Sequence, residues 1–64
     1  MYTKFTIVEF LSKKVILSLV QDENPIYISG IIQTATMDYI VFIEPSGNVR
    51  HINFKDISHI TYDN

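Results

Sequence analysis

The chain is expected to be mostly β: a short N-terminal helix followed by a five-stranded, strongly bent antiparallel sheet closing into a small barrel. Three observations lead there. From Lys14 onward apolar residues recur with a period of two, as in strands that bury one face. Turn-forming residues interrupt the pattern at short intervals, in Gln21-Asp22-Glu23-Asn24-Pro25 and in Pro45-Ser46-Gly47-Asn48. Gly30 stands inside a segment that otherwise reads as a strand. A sheet that must curl on itself needs a bend or a close backbone approach of that kind.

The elements follow in order. Thr6-Ile7-Val8-Glu9 has the form of a capping box, and Ile7, Phe10 and Leu11 then make a helical stripe that ends at Lys13-Lys14. The β-branched Thr3, Thr6, Ile7 and Val8 pull the same segment towards a strand. Residues 3–12 therefore carry two competing readings, and the short helix is the one adopted. The first strand, Val15 to Val20, sets Val15, Leu17 and Leu19 on one face. A turn over Gln21 to Pro25 leads to the second strand, Ile26 to Thr34, with Ile26, Ile28, Gly30 and Ile32 on one face and Tyr27 and Ile31 on the other.

The third strand runs from about Asp38 to Glu44, with Tyr39, Val41 and Ile43 opposed to Ile40 and Phe42. Gly47 supplies the positive φ that the next hairpin loop needs. The fourth strand, Val49 to Phe54, points Ile52 and Phe54 inward and His51 and Asn53 outward. Lys55-Asp56 reads as a single helical turn, and Ile57 feeds a last short strand, Ile60-Thr61-Tyr62. Leu17, Leu19, Ile28, Ile32, Ile52 and Ile60 are the expected core.

A chain of 64 residues makes one domain, residues 1–64, and a domain of this size buries only about 60 % of the surface its unfolded chain exposes. Small domains usually add disulfides or a structural metal. This one has no cysteine, and His51 and His59 have no partners at zinc-ligand spacing, so no metal site and no cofactor is expected. A dense apolar core and oligomerisation remain as sources of stability, and a hydrophobic share of 47% points to both.

The net charge of −2, with Arg50 the only arginine, lacks the basic surplus of a dedicated nucleic-acid binder. Residues 1–6 do not form a signal peptide, and Ser18, Ser29, Gly30 and Gln33 break the apolar runs well short of the ~20 residues that span a bilayer. The absence of cysteine fits a reducing compartment, and a cytoplasmic location away from membranes is expected. Abundant isoleucine, lysine, asparagine, tyrosine and phenylalanine suggest an AT-rich genome, bacterial or phage.

No residue set points to catalysis. Ile57-Ser58-His59 is a neighbour pair without an orienting acid, Asp22-Glu23 and Asp38 sit where turns need solvated acids, and two glycines make no phosphate-cradling loop. Two features point to binding. Strands two and three are apolar on both faces, which makes Tyr27, Ile31, Val41, Ile43 and His51 a candidate subunit interface. Tyr39, Arg50, His51, Asn53 and Lys55 combine an aromatic platform with cations, as single-stranded nucleic acid requires, and form the candidate RNA-binding set.

The order of these features resembles the Sm-like barrel family, bacterial Hfq in particular, over most of the chain. Val15-Ile16-Leu17-Ser18-Leu19, the turn at 21–25 and Gly30-Ile31-Ile32 look like the first Sm motif, and Ile57-Ser58-His59-Ile60 looks like the end of the second. The family's Asp-x-x-Met-Asn stretch is replaced by Thr36-Met37-Asp38-Tyr39-Ile40, its Arg-Gly pair by Asn53-Phe54, and the Lys-His pair of Hfq by Phe54-Lys55. The resemblance thus implies a fold and a ring, while the family's RNA-binding residues do not carry over. The resulting expectation is a non-enzymatic, homo-oligomeric Sm-like binding or adaptor module. The alternatives are an Hfq-type single-stranded RNA binder and a small phage-encoded inhibitor that caps a host protein or sequesters a small ligand.

Overall fold

In the computed structural model, which describes residues 1–64, five strands are laid down in succession: β1 (Lys14–Gln21), β2 (Asn24–Ala35), β3 (Tyr39–Ile43), β4 (Val49–Asn53) and β5 (Ile57–Tyr62). They form one antiparallel sheet in the order β4-β3-β2-β1-β5. The mostly β, antiparallel, five-stranded character expected from the periodicity is present. The strand limits differ in places. The first hairpin turns on two residues only, Asp22 and Glu23, with Asp22 at φ +55°. Pro25 therefore lies inside β2, opposite Val20, where β3 no longer reaches and β2 is itself an edge. Thr36 closes the next turn, its hydroxyl accepting from the N–H groups of Asp38 and Tyr39. Gly47, at φ +94°, turns the β3–β4 hairpin as expected.

The sheet does not close into a barrel. Its edges are β4 and β5, and no ladder joins them. Each strand in the order runs against its neighbour, so β4 and β5 run in the same direction. Parallel neighbours need a crossover of about a dozen residues or more. Between β4 and β5 the chain has only the 3-10 turn Phe54–Asp56. That link lets them cap the same core from two sides and leaves them unpaired.

The expected N-terminal helix is also absent. In its place stands a 3-10 turn over Val8–Phe10, with no side-chain cap. The Thr6–Glu9 box gives way to a reciprocal Thr3–Thr6 box, in which each hydroxyl accepts from the other's backbone N–H at 2.7 and 3.3 Å. The Glu9 carboxylate is occupied elsewhere, accepting from the Tyr62 hydroxyl at 2.9 Å. Beyond Phe10 the chain extends: Leu11 bridges to Ile32, and the Ser12 N–H donates to the Ile32 carbonyl at 2.9 Å. Burying Ile7 and Phe10 and gaining backbone bonds to β2 outweigh local helix propensity.

One face of every strand contributes to a single apolar cluster: Val15, Leu17, Leu19, Ile32, Ile40, Phe42, Ile52, Phe54, Ile57 and Ile60, closed by Ile7 and Phe10. No polar or charged side chain is buried. A flat five-stranded sheet cannot bring all these residues together in a body of 29 × 25 × 20 Å, so the sheet curls around them. Gly30 permits the tightest contact. A Cβ there would strike the Ile43 carbonyl oxygen and lie 2.7 Å from Phe42 Cζ.

Two bulges add twist. Gln33 is the extra residue between the Ile32–Phe42 and Thr34–Val41 pairs. Ser58 is the extra residue between the Leu19–Ile57 and Ser18–His59 pairs, and its hydroxyl donates to the Ser18 carbonyl at 3.0 Å. The second bulge gives Ile57 and Ile60 their three-residue spacing, so β5 begins at Ile57 and not at Ile60. Ile28, expected in the core, is half-buried at the rim beside it.

The strand phase makes a direct prediction. Leu17→Ala, which empties a fully buried site, should cost about 2–5 kcal/mol out of a total of roughly 3–10. Ile16→Ala, on the opposite and half-exposed face, should cost about 1 kcal/mol or less. Urea melts followed by circular dichroism check both values, and equal losses would show that the register is shifted by one residue.

Candidate functional site

The face of the sheet turned away from the core is built in rows by the strand register. Ile31, Ile43 and Val49 stand side by side across β2, β3 and β4. Thr34, Val41 and His51 form the next row, and Tyr39 stands opposite Asn53 in the last. Of the candidate interface residues, Ile31, Val41, Ile43 and His51 are thus brought together. Tyr27 shares their face but lies up the hairpin opposite Ser18, beyond the reach of β3, and is 67% exposed. Val49, 59% exposed, completes the first row and was not among the residues picked out from the sequence. The two-residue alternation with His51 was the signal for it.

The candidate RNA-binding set is divided. The Tyr39 and His51 rings pair at 5.1 Å between centroids with 31° between their planes, and Asn53 is directly opposite Tyr39. Arg50 lies one residue out of phase with His51 and therefore on the other face, paired with the buried Phe42. Its guanidinium meets the Glu44 carboxylate at 3.4 Å, and it borders a cleft of about 270 Å³ with Leu19, Gln21, His51, Ile52 and Asp56. Lys55 rides on the 3-10 turn after β4, beside a separate hollow of about 330 Å³ formed with Met1, Met37, Asp38, Asn53 and Phe54. The two cations do not converge, and Arg50 already has a counter-ion. Ser58, next to His59 in sequence, turns its hydroxyl to Ser18.

The edges of the sheet are the other exposed chemistry. On β4 the Phe54 N–H donates to Asp38 and the Asn48 carbonyl accepts from Glu44, so alternation turns the N–H and C=O of His51 away from β3. On β5 the Asp63 N–H donates to Lys14, so the same alternation turns the Ile60 N–H outward. That N–H is occupied: it donates to the Tyr2 hydroxyl at 3.0 Å.

Residues 1–13 are strapped along β5 at a second point. Tyr62 donates to Glu9, its ring lies 5.0 Å from that of Phe10, and Lys13 Nζ sits 5.7 Å from its centroid. No group of three or more histidine, cysteine or acidic side chains is placed to hold a metal ion. No helix is long and apolar enough to cross a membrane. No known family model and no curated protein matches this chain.

The strap has a titration signature. The hydrogen bond to the Glu9 carboxylate raises the Tyr62 pKa above its ordinary value of 10.0, and desolvation and the Glu9 charge act in the same direction. Because the protonated phenol is the form favoured on folding, the strap contributes fully below pH 10.0 and is lost as pH rises through the folded-state value. Titration of the Tyr62 ring signals by NMR should show the raised value, and Glu9→Gln should bring it back towards 10.0.

Proposed function

We propose that the chain is a non-enzymatic, homo-oligomeric Sm-like binding or adaptor module whose copies join through the edges of β4 and β5 into a ring. The observation that carries this reading is the open sheet: one strongly curled layer whose two short end strands are both left without a partner strand. Such edges are templates for another chain. A ring of copies would pair both edges at once, the closure that the three-residue link denies within one subunit.

The outer-face rows support the same reading. Ile31 and Val49 stand 36% and 59% exposed around the half-buried Ile43 and Val41. Covering each large aliphatic completely stabilises by about 1.5–3 kcal/mol, and these residues are already partly covered, so each adds a fraction of that.

A second reading has its own observation. The paired Tyr39 and His51 rings beside Asn53 are a stacking platform for the bases of single-stranded RNA, without Arg50 as an ally.

Light scattering and native mass spectrometry at micromolar concentration should give a stable multiple of the 7.4 kDa subunit. His51→Pro removes an outward N–H of β4 and should dissociate the assembly while circular dichroism still reports strands. A subunit mass at every concentration would defeat the ring. For the second reading, a short uridine-rich RNA should bind at low salt and weaken steeply as salt rises, with Tyr39→Ala losing about 1–3 kcal/mol of affinity. No binding at low salt would remove it.

A further inference from the structure

We propose that the Tyr2 hydroxyl is a removable guard on the β5 edge, which a second copy of this chain must displace before its own strand can add there. The inference rests on the edge-pairing reading above. The Ile60 N–H is an outward donor in the middle of β5, and in the single subunit its acceptor is a side chain 58 residues away in sequence. Natural sheets blunt their edges with charges, prolines, bulges or a covering segment. Here the Ser58 bulge and the Tyr2 cap fall within three residues of each other on β5. On β4 the nearest side-chain hydrogen bonds are those of Ser46 and Arg50, and neither reaches the His51 N–H. One edge is guarded and the other is bare.

The guard is built to lift without unfolding the subunit. The Tyr2 ring is half-buried against the core, while the segment after it is held independently by the Thr3–Thr6 box and the Glu9–Tyr62 bond. When a strand arrives, its carbonyl takes over the Ile60 N–H, and the Tyr2 ring swings off the edge so that its hydroxyl meets water. The number of hydrogen bonds is conserved, so the hydroxyl itself opposes association by no more than about one bond. The incoming strand is assigned to a second copy because the bare β4 edge belongs to the same chain and nearly matches β5 in length, five residues against six.

The test is Tyr2→Phe, which keeps the ring and removes only the hydroxyl. Dissociation constants of wild type and variant are measured by analytical ultracentrifugation across concentrations, with circular dichroism confirming the fold. Amide exchange at Ile60 is followed at dilutions where the single subunit dominates. The variant should associate about 2- to 10-fold more tightly, as loss of one competing hydrogen bond implies, and its Ile60 amide should exchange faster in the dissociated subunit. An unchanged or weaker association with unchanged Ile60 exchange overturns the guard and leaves edge pairing standing if the wild type still associates. A monomeric wild type with an associating variant supports the guard and rejects the ring for the native chain. If both are monomeric, both proposals fail.

Discussion

At Gly30 the backbone of β2 comes so close to β3 that any side chain would collide with the Ile43 carbonyl and the Phe42 ring. This contact is where the twelve-residue strand changes partners: up to Ile31 it pairs with β1, and from Ile31 onward with β3. The rest of the structure depends on that handover. With β2 bent there, the inward residues of β1 and β5 face those of β3 and β4 across one core, and a single layer of sheet encloses it. A larger residue at position 30 would push β3 away and open the cluster around Phe42.

Enclosing a core with one layer leaves two costs, and the chain meets them with different devices. The mouth of the curl is filled by Ile7 and Phe10, which is why residues 1–13 follow the sheet and do not fold as an independent helix. The unpaired edges are the second cost. Tyr2 and the Ser58 bulge cover part of β5, whereas β4 is left bare. The two edges thus differ: one is partly covered from within the chain, and the other presents its backbone groups unpaired.

The positive charges are dispersed, Arg50 is matched by Glu44, and no titratable group is buried. What the surface offers in concentrated form is apolar area, in the rows built on Ile31, Ile43, Val49 and Val41, and unpaired backbone along β4. The Tyr39 and His51 rings pair on the same outer face, beside Asn53.

The strands, their faces and most of their turns are legible in local sequence. Those features depend on residues one to four apart: the alternation of Val15, Leu17 and Leu19, the Gly47 loop, and the opposed faces of β3. Local sequence also held the phase difference that separates Arg50 from His51, because neighbours on a strand point to opposite faces.

Three outcomes depend instead on long-range contacts. The capping box at Thr6–Glu9 was overruled because Ile7 and Phe10 joined the core while the Glu9 carboxylate went to Tyr62. The barrel stayed open because antiparallel order made β4 and β5 codirectional across a three-residue link. The β5 edge was capped because Tyr2 reached Ile60. Each outcome rests on partners 50 or more residues apart, or on the order of the whole sheet, and a local pattern carries no information about which distant group will arrive first at an unpaired N–H or carboxylate.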